Sequence, residues 1–227
     1  MISIAIDGPA GAGKSTIAKE ISKILGFVYV DTGALYRAIG LYIERHNIED
    51  REIKKELSKV KIDLDFKKDG QHVLLCGEDV SKLIRTPKIS MIASRISAFK
   101  CVRDFLLKLQ RDFAENNNVV MDGRDIGTVV LPDAEIKIFL TASAAIRAER
   151  RYNELRAKNI YCSYDEVLND IIKRDNDDSS REIAPLKPAR SAIIIDTSNM
   201  SLQESIKFLL KVVKSKFDRG SDLYESK

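Results

Sequence analysis

Ile2-Ser3-Ile4-Ala5-Ile6-Asp7-Gly8-Pro9-Ala10-Gly11-Ala12-Gly13-Lys14-Ser15-Thr16 decides the fold of this chain. Ile2 to Ile6 reads as a short, fully buried strand, ended by Asp7-Gly8-Pro9. From Lys14 to Leu25, the residues Ile17, Ile21, Ile24 and Leu25 fall at helical spacing, and Gly26 stops the helix. The turn between them, Gly8 to Ser15, matches GxxxxGK[ST], in the strand-to-helix context that this pattern requires. Its glycines let backbone N–H groups turn inward around a polyphosphate, and the helix N-terminus adds its dipole. Lys14 supplies a point charge to the phosphates and Ser15 a hydroxyl for Mg²⁺.

Working outward, Phe27–Val30 is a second strand and Ala34 to about His46 a second helix. Strand, helix and strand in succession imply right-handed crossovers and a mostly parallel sheet. The middle differs. Lys61 to Phe66 alternates with period two, Asp69-Gly70 signals a hairpin turn, and Val73 to Cys76 returns, giving a small antiparallel insert over about 60–80. Thr86-Pro87 reads as an N-cap followed by proline at the first helical position, opening helices through Ile89–Ile96 and Val102–Phe113. Val102, Leu106, Leu109 and Phe113 line one face of the second of these. The parallel pattern resumes with strands at Val119–Met121, Glu135–Leu140 and Ile193–Ile195. Helices are expected near Ser143–Ala157, at Tyr164–Asp175 behind a Ser163/Glu166 capping box, and from Ser201/Glu204 onward. Leu202, Ile206, Leu209 and Val213 share a face of the last helix, and the polar tail from about Asp218 is expected to fray. The expected fold is α/β: a five-stranded parallel sheet with helices on both faces.

Composition narrows the function. The 227 residues carry 38 Lys+Arg against 34 Asp+Glu, a net charge of +4, and 44% are apolar, enough for a sizeable core. No run approaches the length of a membrane span, and no signal peptide is seen. Three scattered cysteines and two histidines leave little material for a disulfide framework, a His-based metal centre or a Ser-His-Asp triad. A reducing cytosol fits best. None of the eleven glycines follows an aspartate by three positions, and no NKxD occurs, which argues against a GTPase switch.

Three clusters set arginines beside carboxylates at what would be the ligand edge of the sheet. They are Asp31-Thr32-Gly33-Ala34-Leu35-Tyr36-Arg37, Asp122-Gly123-Arg124-Asp125-Ile126-Gly127-Thr128, and Arg174 to Arg181. A helix through the third would put Arg174, Asp178 and Arg181 on one face. A hydroxyl acceptor for phosphoryl transfer wants a carboxylate base, whereas a phosphate acceptor needs guanidinium groups against the repulsion between two phosphates. The arginine surplus favours a monophosphate. Kinases of other small molecules and a nucleotide-dependent nucleic-acid module remain alternatives, the latter poorly served by 7% aromatics and no Trp.

At these residues the sequence resembles the bacterial cytidylate kinases of the nucleoside monophosphate kinase superfamily, over nearly the whole chain from Ile2 to about Phe217. The resemblance rests on the phosphate loop, DTGALYR, Gly77-Glu-Asp-Val-Ser81 with Ile84-Arg-Thr86, DGRDIGT, and Arg181-Glu-Ile-Ala-Pro-Leu186. It implies a P-loop kinase with a small antiparallel insert and a helical lid. The core would comprise 1–33, 99–157 and 191–217, the monophosphate-binding region 34–98, and the lid about 158–190. It implies transfer of the γ-phosphoryl group of ATP to CMP and dCMP, with Mg²⁺. The protein is expected to be a cytoplasmic monomer without nucleic-acid or membrane partners. Gly8, Gly11, Ala12, Gly13, Lys14, Ser15 and Thr16 would bind ATP. Arg37, Arg124 and Arg181 would hold the CMP phosphate, Arg174 and Asp178 reach its ribose, and Ser94, Arg103 and Asp125 read cytosine, with Thr32 also in the CMP site. Lys14, Arg124, Arg174 and Arg181 would be catalytic, and Ser15 and Asp122, the latter through water, would attend the metal. Cytosine offers an N4 donor to a carboxylate and N3 and O2 acceptors to a guanidinium, whereas uracil reverses both contacts. Where some relatives carry extra lid arginines, this chain has Asp177 and Ser179. Arg147, Arg150 and Arg151 either face ATP from the helix before the lid or line a solvated helix face, and they are left out of the expected site.

Overall fold

The structure, a computed structural model, describes residues 1–221, with side chains through residue 217. Strand β1 (Ser3–Asp7) leads into α1 (Lys14–Leu25), and β2 (Val28–Asp31) into α2 (Thr32–Arg45). A short helix α3 (Ile53–Glu56) precedes the antiparallel strands β3 (Ile62–Lys67), β4 (Gly70–Leu75) and β5 (Glu78–Asp79). Helices α4 (Pro87–Ile96) and α5 (Lys100–Asn116) return the chain to β6 (Val119–Gly123), which runs into a single π-helical turn, Ile126–Val130. Then follow β7 (Ile136–Thr141), α6 (Ala144–Ala157), α7 (Tyr164–Ser179), β8 (Ile193–Asp196) and α8 (Leu202–Ser221).

The main sheet is parallel with order β2-β6-β1-β7-β8. Period-two alternation divides its side chains between two cores. Ile4, Ile6, Val120, Ile136, Ile138 and Leu140 pack on one face against Ile17 and Ile21 of α1 and Leu209 and Val213 of α8. Ala5, Val30, Val119 and Met121 pack on the other against Ala114 of α5 and the π turn. A third core joins α2, α4 and α5 to the three-stranded insert through Leu35, Ile39, Ile62, Val73, Ile96 and Leu106. Helices α6 and α7 pair through Ala148, Val167 and Ile171.

Local chemistry sets the element ends. Gly26 takes the left-handed conformation that stops α1, with φ 68°, and its N–H bonds the Ser22 carbonyl. Thr86 caps α4 by accepting from the Ile89 N–H at 3.3 Å. The Ser163/Glu166 capping box forms, and Ser201 and Glu204 exchange the same two bonds.

Three expectations change. The insert has a third strand, β5, too short at two residues to show a period. Helix α7 runs past Asp175 to Ser179 because buried Asp178, close to its end, is held by two arginines. Leu202 is 48% exposed, so the core face of α8 begins at Ile206. Helix α8 extends past Asp218 to Ser221, and the rest of the tail expected to fray, 222–227, lies outside the described residues.

Candidate active site

Strands β2, β6 and β1 are neighbours, and their register sets Asp31 beside Asp122 and Gly123 beside Asp7. The loops leaving these three C-terminal ends therefore emerge side by side, where open α/β sheets bind ligands.

In the phosphate loop, Gly8 has φ 145°, and a Cβ there would lie 1.9 Å from the Leu140 carbonyl oxygen, so no other residue fits. Lys14 is buried, its ammonium donating to the Pro9 carbonyl at 2.8 Å. Burial first, and then the Arg124 charge, push its pKa down to about 7. Ser15 and Thr16 lie exposed on the first turn of α1. The Ser15 hydroxyl donates to Asp122 Oδ2 at 2.9 Å, and the Tyr29 hydroxyl donates to Asp122 Oδ1 at 2.7 Å. Burial, followed by the Asp31 charge, raises the Asp122 pKa.

One strand away, Asp31 organises two arginines. Its Oδ2 accepts from Arg37 Nη2 at 2.8 Å and pairs with Arg85 Nη1 at 2.9 Å, while Oδ1 caps α2 at the Ala34 N–H, 3.0 Å. Burial alone would raise the Asp31 carboxyl, but Arg37 and Arg85 hold it below its ordinary value. Arg37 Nε is buried without a hydrogen-bond partner. That is an orphan donor of the kind a bound anion satisfies.

A second buried carboxylate, Asp178, does the same from α7. It accepts from Arg124 Nε at 2.8 Å and from Arg181, and these charges keep it ionised against the effect of burial. Arg174 Nη2 reaches across to the Ser90 carbonyl of α4 at 3.4 Å. Arg181 is not on the helical face with Arg174 and Asp178: the helix ends first, and the turn after Ser180 brings Arg181 back.

Behind these groups lies a buried ion pair. Arg103, 8% exposed on α5, donates through Nη2 to Asp125 Oδ2 and through Nη1 to the Ser97 carbonyl at 2.9 Å. The Ser97 hydroxyl donates in turn to the Ser94 carbonyl at 2.6 Å, so Ser94 is linked to the pair through Ser97. The Tyr36 ring lies against the guanidinium, 5.9 Å from centroid to Cζ. Both carboxylate oxygens of Asp7 accept the N–H groups of Ile126 and Gly127 at 2.7 Å. With those donors taken, the turn following Asp125 needs no cap from the Asp125 carboxylate, which is free to meet Arg103. Burial, against these two bonds, moves Asp7 up to about 6.

Two further residues have partners that their spacing does not show. Thr32 is buried and its hydroxyl donates to the Asp122 carbonyl at 2.7 Å, so it ties α2 to β6 and offers no free donor. Arg147 is no solvated residue: it is 4% exposed, donates to the Ala10 carbonyl of the phosphate loop at 3.1 Å, and grips Asp175 with two bonds of 3.0 and 2.6 Å. Arg150 bonds the Thr197 carbonyl at 2.8 Å, and Arg151 stays on the surface with Glu154. Arg147→Ala is expected to lower stability by roughly 1–3 kcal/mol in urea unfolding, since it frees a buried carbonyl and a part-buried carboxylate. Sequence reading missed Arg85, though Ile84-Arg-Thr86 was in view, and it missed Tyr29, Tyr36 and Asp7, whose roles depend on contacts between distant elements.

A phosphate loop with a buried lysine, and a cluster of carboxylate-held arginines beside it, defines the class of P-loop phosphotransferases. Residues 4–215 match the family model described as cytidylate kinase. The cytidylate kinase of Thermosipho melanesiensis is 50% identical over 214 residues, covering 94% of this chain and 97% of that protein. That of Caldanaerobacter subterraneus subsp. tengcongensis is 52% identical over 215 residues, covering 94% and 95%. Among solved structures, a gluconokinase from Sinorhizobium meliloti 1021 aligns over 100% of this chain and 98% of its own at 15% identity and a TM-score of 0.49. The chain belongs to the cytidylate kinase family.

Proposed function

We propose that the chain transfers the γ-phosphoryl group of ATP to CMP, giving CDP and ADP, with dCMP as a second acceptor and the residues in the following roles. The phosphate loop, Gly8 through Thr16, binds the ATP phosphates, with Lys14 as the buried cation that balances charge on the β- and γ-oxygens. Arg37 and Arg85 on Asp31, and Arg124 and Arg181 on Asp178, hold the CMP phosphate. A carboxylate behind each arginine pair fixes the guanidinium planes before substrate arrives, so little reorganisation is needed at the transition state. Arg174 and Asp178 reach the ribose. An oxygen of the CMP phosphate attacks the γ-phosphorus as the bond to the β-phosphate oxygen breaks, and ADP leaves.

The observation that carries this reading is the buried Arg103–Asp125 pair, set against Tyr36 and linked through Ser97 to Ser94. It sets a donor and an acceptor side by side, the complement of cytosine N3/O2 and N4. Uracil would oppose a donor to the donor and an acceptor to the acceptor, at about 1–3 kcal/mol for each mismatched group.

Ser15 and Asp122 supply hard oxygen donors 2.9 Å apart at the mouth of the loop, which suits Mg²⁺ held jointly with substrate phosphates. When bound there, Mg²⁺ would neutralise charge on the ATP phosphates. Among the described residues no helix is long and apolar enough to cross a membrane. The reading places the enzyme in the cytoplasm as a monomer acting on free nucleotides, without nucleic acid. ADP release with ATP, Mg²⁺ and a panel of monophosphates tests it: CMP and dCMP should turn over well, UMP at least tenfold worse in kcat/KM. Equal rates with UMP, or none with CMP, refute it.

A further inference from the structure

The antiparallel insert reaches the acceptor site through Gln71. In the β3–β4 hairpin, Gln71 stands directly opposite Phe66. Side chains opposite each other on an antiparallel pair project from the same face. The two reach separate parts of the core. The Phe66 ring stacks on Phe113 of α5, centroids 4.7 Å apart at 28°. The Gln71 carboxamide reaches β2, where Oε1 accepts the Asp31 backbone N–H at 2.7 Å and Nε2 donates to the Asp31 carbonyl at 3.2 Å.

Strand β2 is the outer strand of the main sheet on this side. An outer strand leaves backbone donors and acceptors unpaired. At Asp31 the Gln71 amide fills that vacancy, its carbonyl and amino groups matching an N–H and a C=O of the strand as a neighbouring peptide would. The same residue, Asp31, carries the heaviest load in the acceptor cradle: its carboxylate holds Arg37 and Arg85 and caps α2. The direction of that carboxylate depends on the Asp31 backbone, whose φ of −81° and ψ of 95° lie just where the strand turns into the helix.

We propose that Gln71 is a positioning residue for phosphoryl acceptor binding: it pins the Asp31 backbone so that the Asp31 carboxylate keeps Arg37 and Arg85 converged on the acceptor's phosphate. The antiparallel insert is thus a strut between α5 and the cradle. This rests on the reading that Arg37 and Arg85 hold that phosphate.

Gln71→Met keeps the side chain's length and removes both hydrogen bonds. Steady-state kinetics of the full chain should show KM for CMP raised about fivefold, with KM for ATP and kcat at saturating CMP within about twofold. A loss of general stability would instead move all three or none. Added to Asp31→Asn, Gln71→Met should raise KM for CMP no further, because both changes act through one cradle. An unchanged KM for CMP in Gln71→Met and in Gln71→Ala, equal increases for CMP and ATP, or full additivity with Asp31→Asn would overturn the proposal. Arg37→Ala separates the two levels. If it raises KM for CMP while Gln71→Met does not, only the role of Gln71 fails; if it leaves KM for CMP unchanged, the cradle reading fails and the proposal with it.

Discussion

Asp125→Ala lowers kcat/KM for CMP by about a hundredfold or more and narrows the preference for CMP over UMP, while KM for ATP stays within about twofold. The expectation follows from the proposed base-reading role: Asp125 and Arg103 are both buried and form a paired acceptor and donor. Removing the carboxylate takes away the acceptor for the cytosine amino group and leaves Arg103 with the Ser97 carbonyl. A buried guanidinium without its counter-ion also costs stability, about 3–5 kcal/mol, readable in urea unfolding. Asp125→Asn keeps the shape and an acceptor oxygen and should fall between the wild type and Asp125→Ala on both readouts. Arg103→Ala should erode the same preference from the donor side. If both alanine variants discriminated CMP from UMP as the wild type does, the base-reading role would be wrong.

Lys14→Met is expected to reduce kcat by about 10²–10³, the usual cost of removing one preorganised charge or donor from the developing anion. The methionine fills the same buried volume, so the loss reports charge. A second consequence follows from the pKa of about 7, set first by burial and then by the Arg124 charge. A lysine lowered in this way is increasingly neutral above pH 7 in the free enzyme. Polyphosphate binding favours the charged form, so at pH 8 ATP binding should be accompanied by uptake of a proton onto Lys14, and affinity should weaken as pH rises, by up to about tenfold per unit. Calorimetry in buffers of differing ionisation enthalpy measures that uptake, and Lys14→Met should abolish it. Uptake equal in both proteins would assign the proton elsewhere.

Much of this molecule is legible in residues that act locally. Gly8 to Ser15 announces a phosphate loop because its glycines and lysine work through their own backbone and neighbours. Thr86-Pro87, Ser163 with Glu166, and Gly26 mark helix ends through bonds spanning a few residues, and all stand where expected. Elements were legible too where the periodic run was long, as in α1 and α5. They were missed where it was short, as in β5 and α3, since two to four residues carry no period.

What sequence alone determined was therefore the class of chemistry: a buried parallel sheet, a phosphate loop, and arginines grouped with carboxylates at the ends of strands. Which arginine goes with which carboxylate was decided only by the fold. Arg85 lies 54 positions from Asp31 and Arg124 lies 54 from Asp178, and nothing in local spacing links either pair. Arg103 and Arg147 look like solvated helix residues until the packing of α5 against the π turn, and of α6 against α7, buries them. Arg181 stays near Asp178 through a turn where spacing suggested a helix. The physical reason is the same in each case. Periodicity and capping are short-range and are written in neighbouring residues, whereas the pairing of buried charges depends on which strand ends the sheet order β2-β6-β1 brings together.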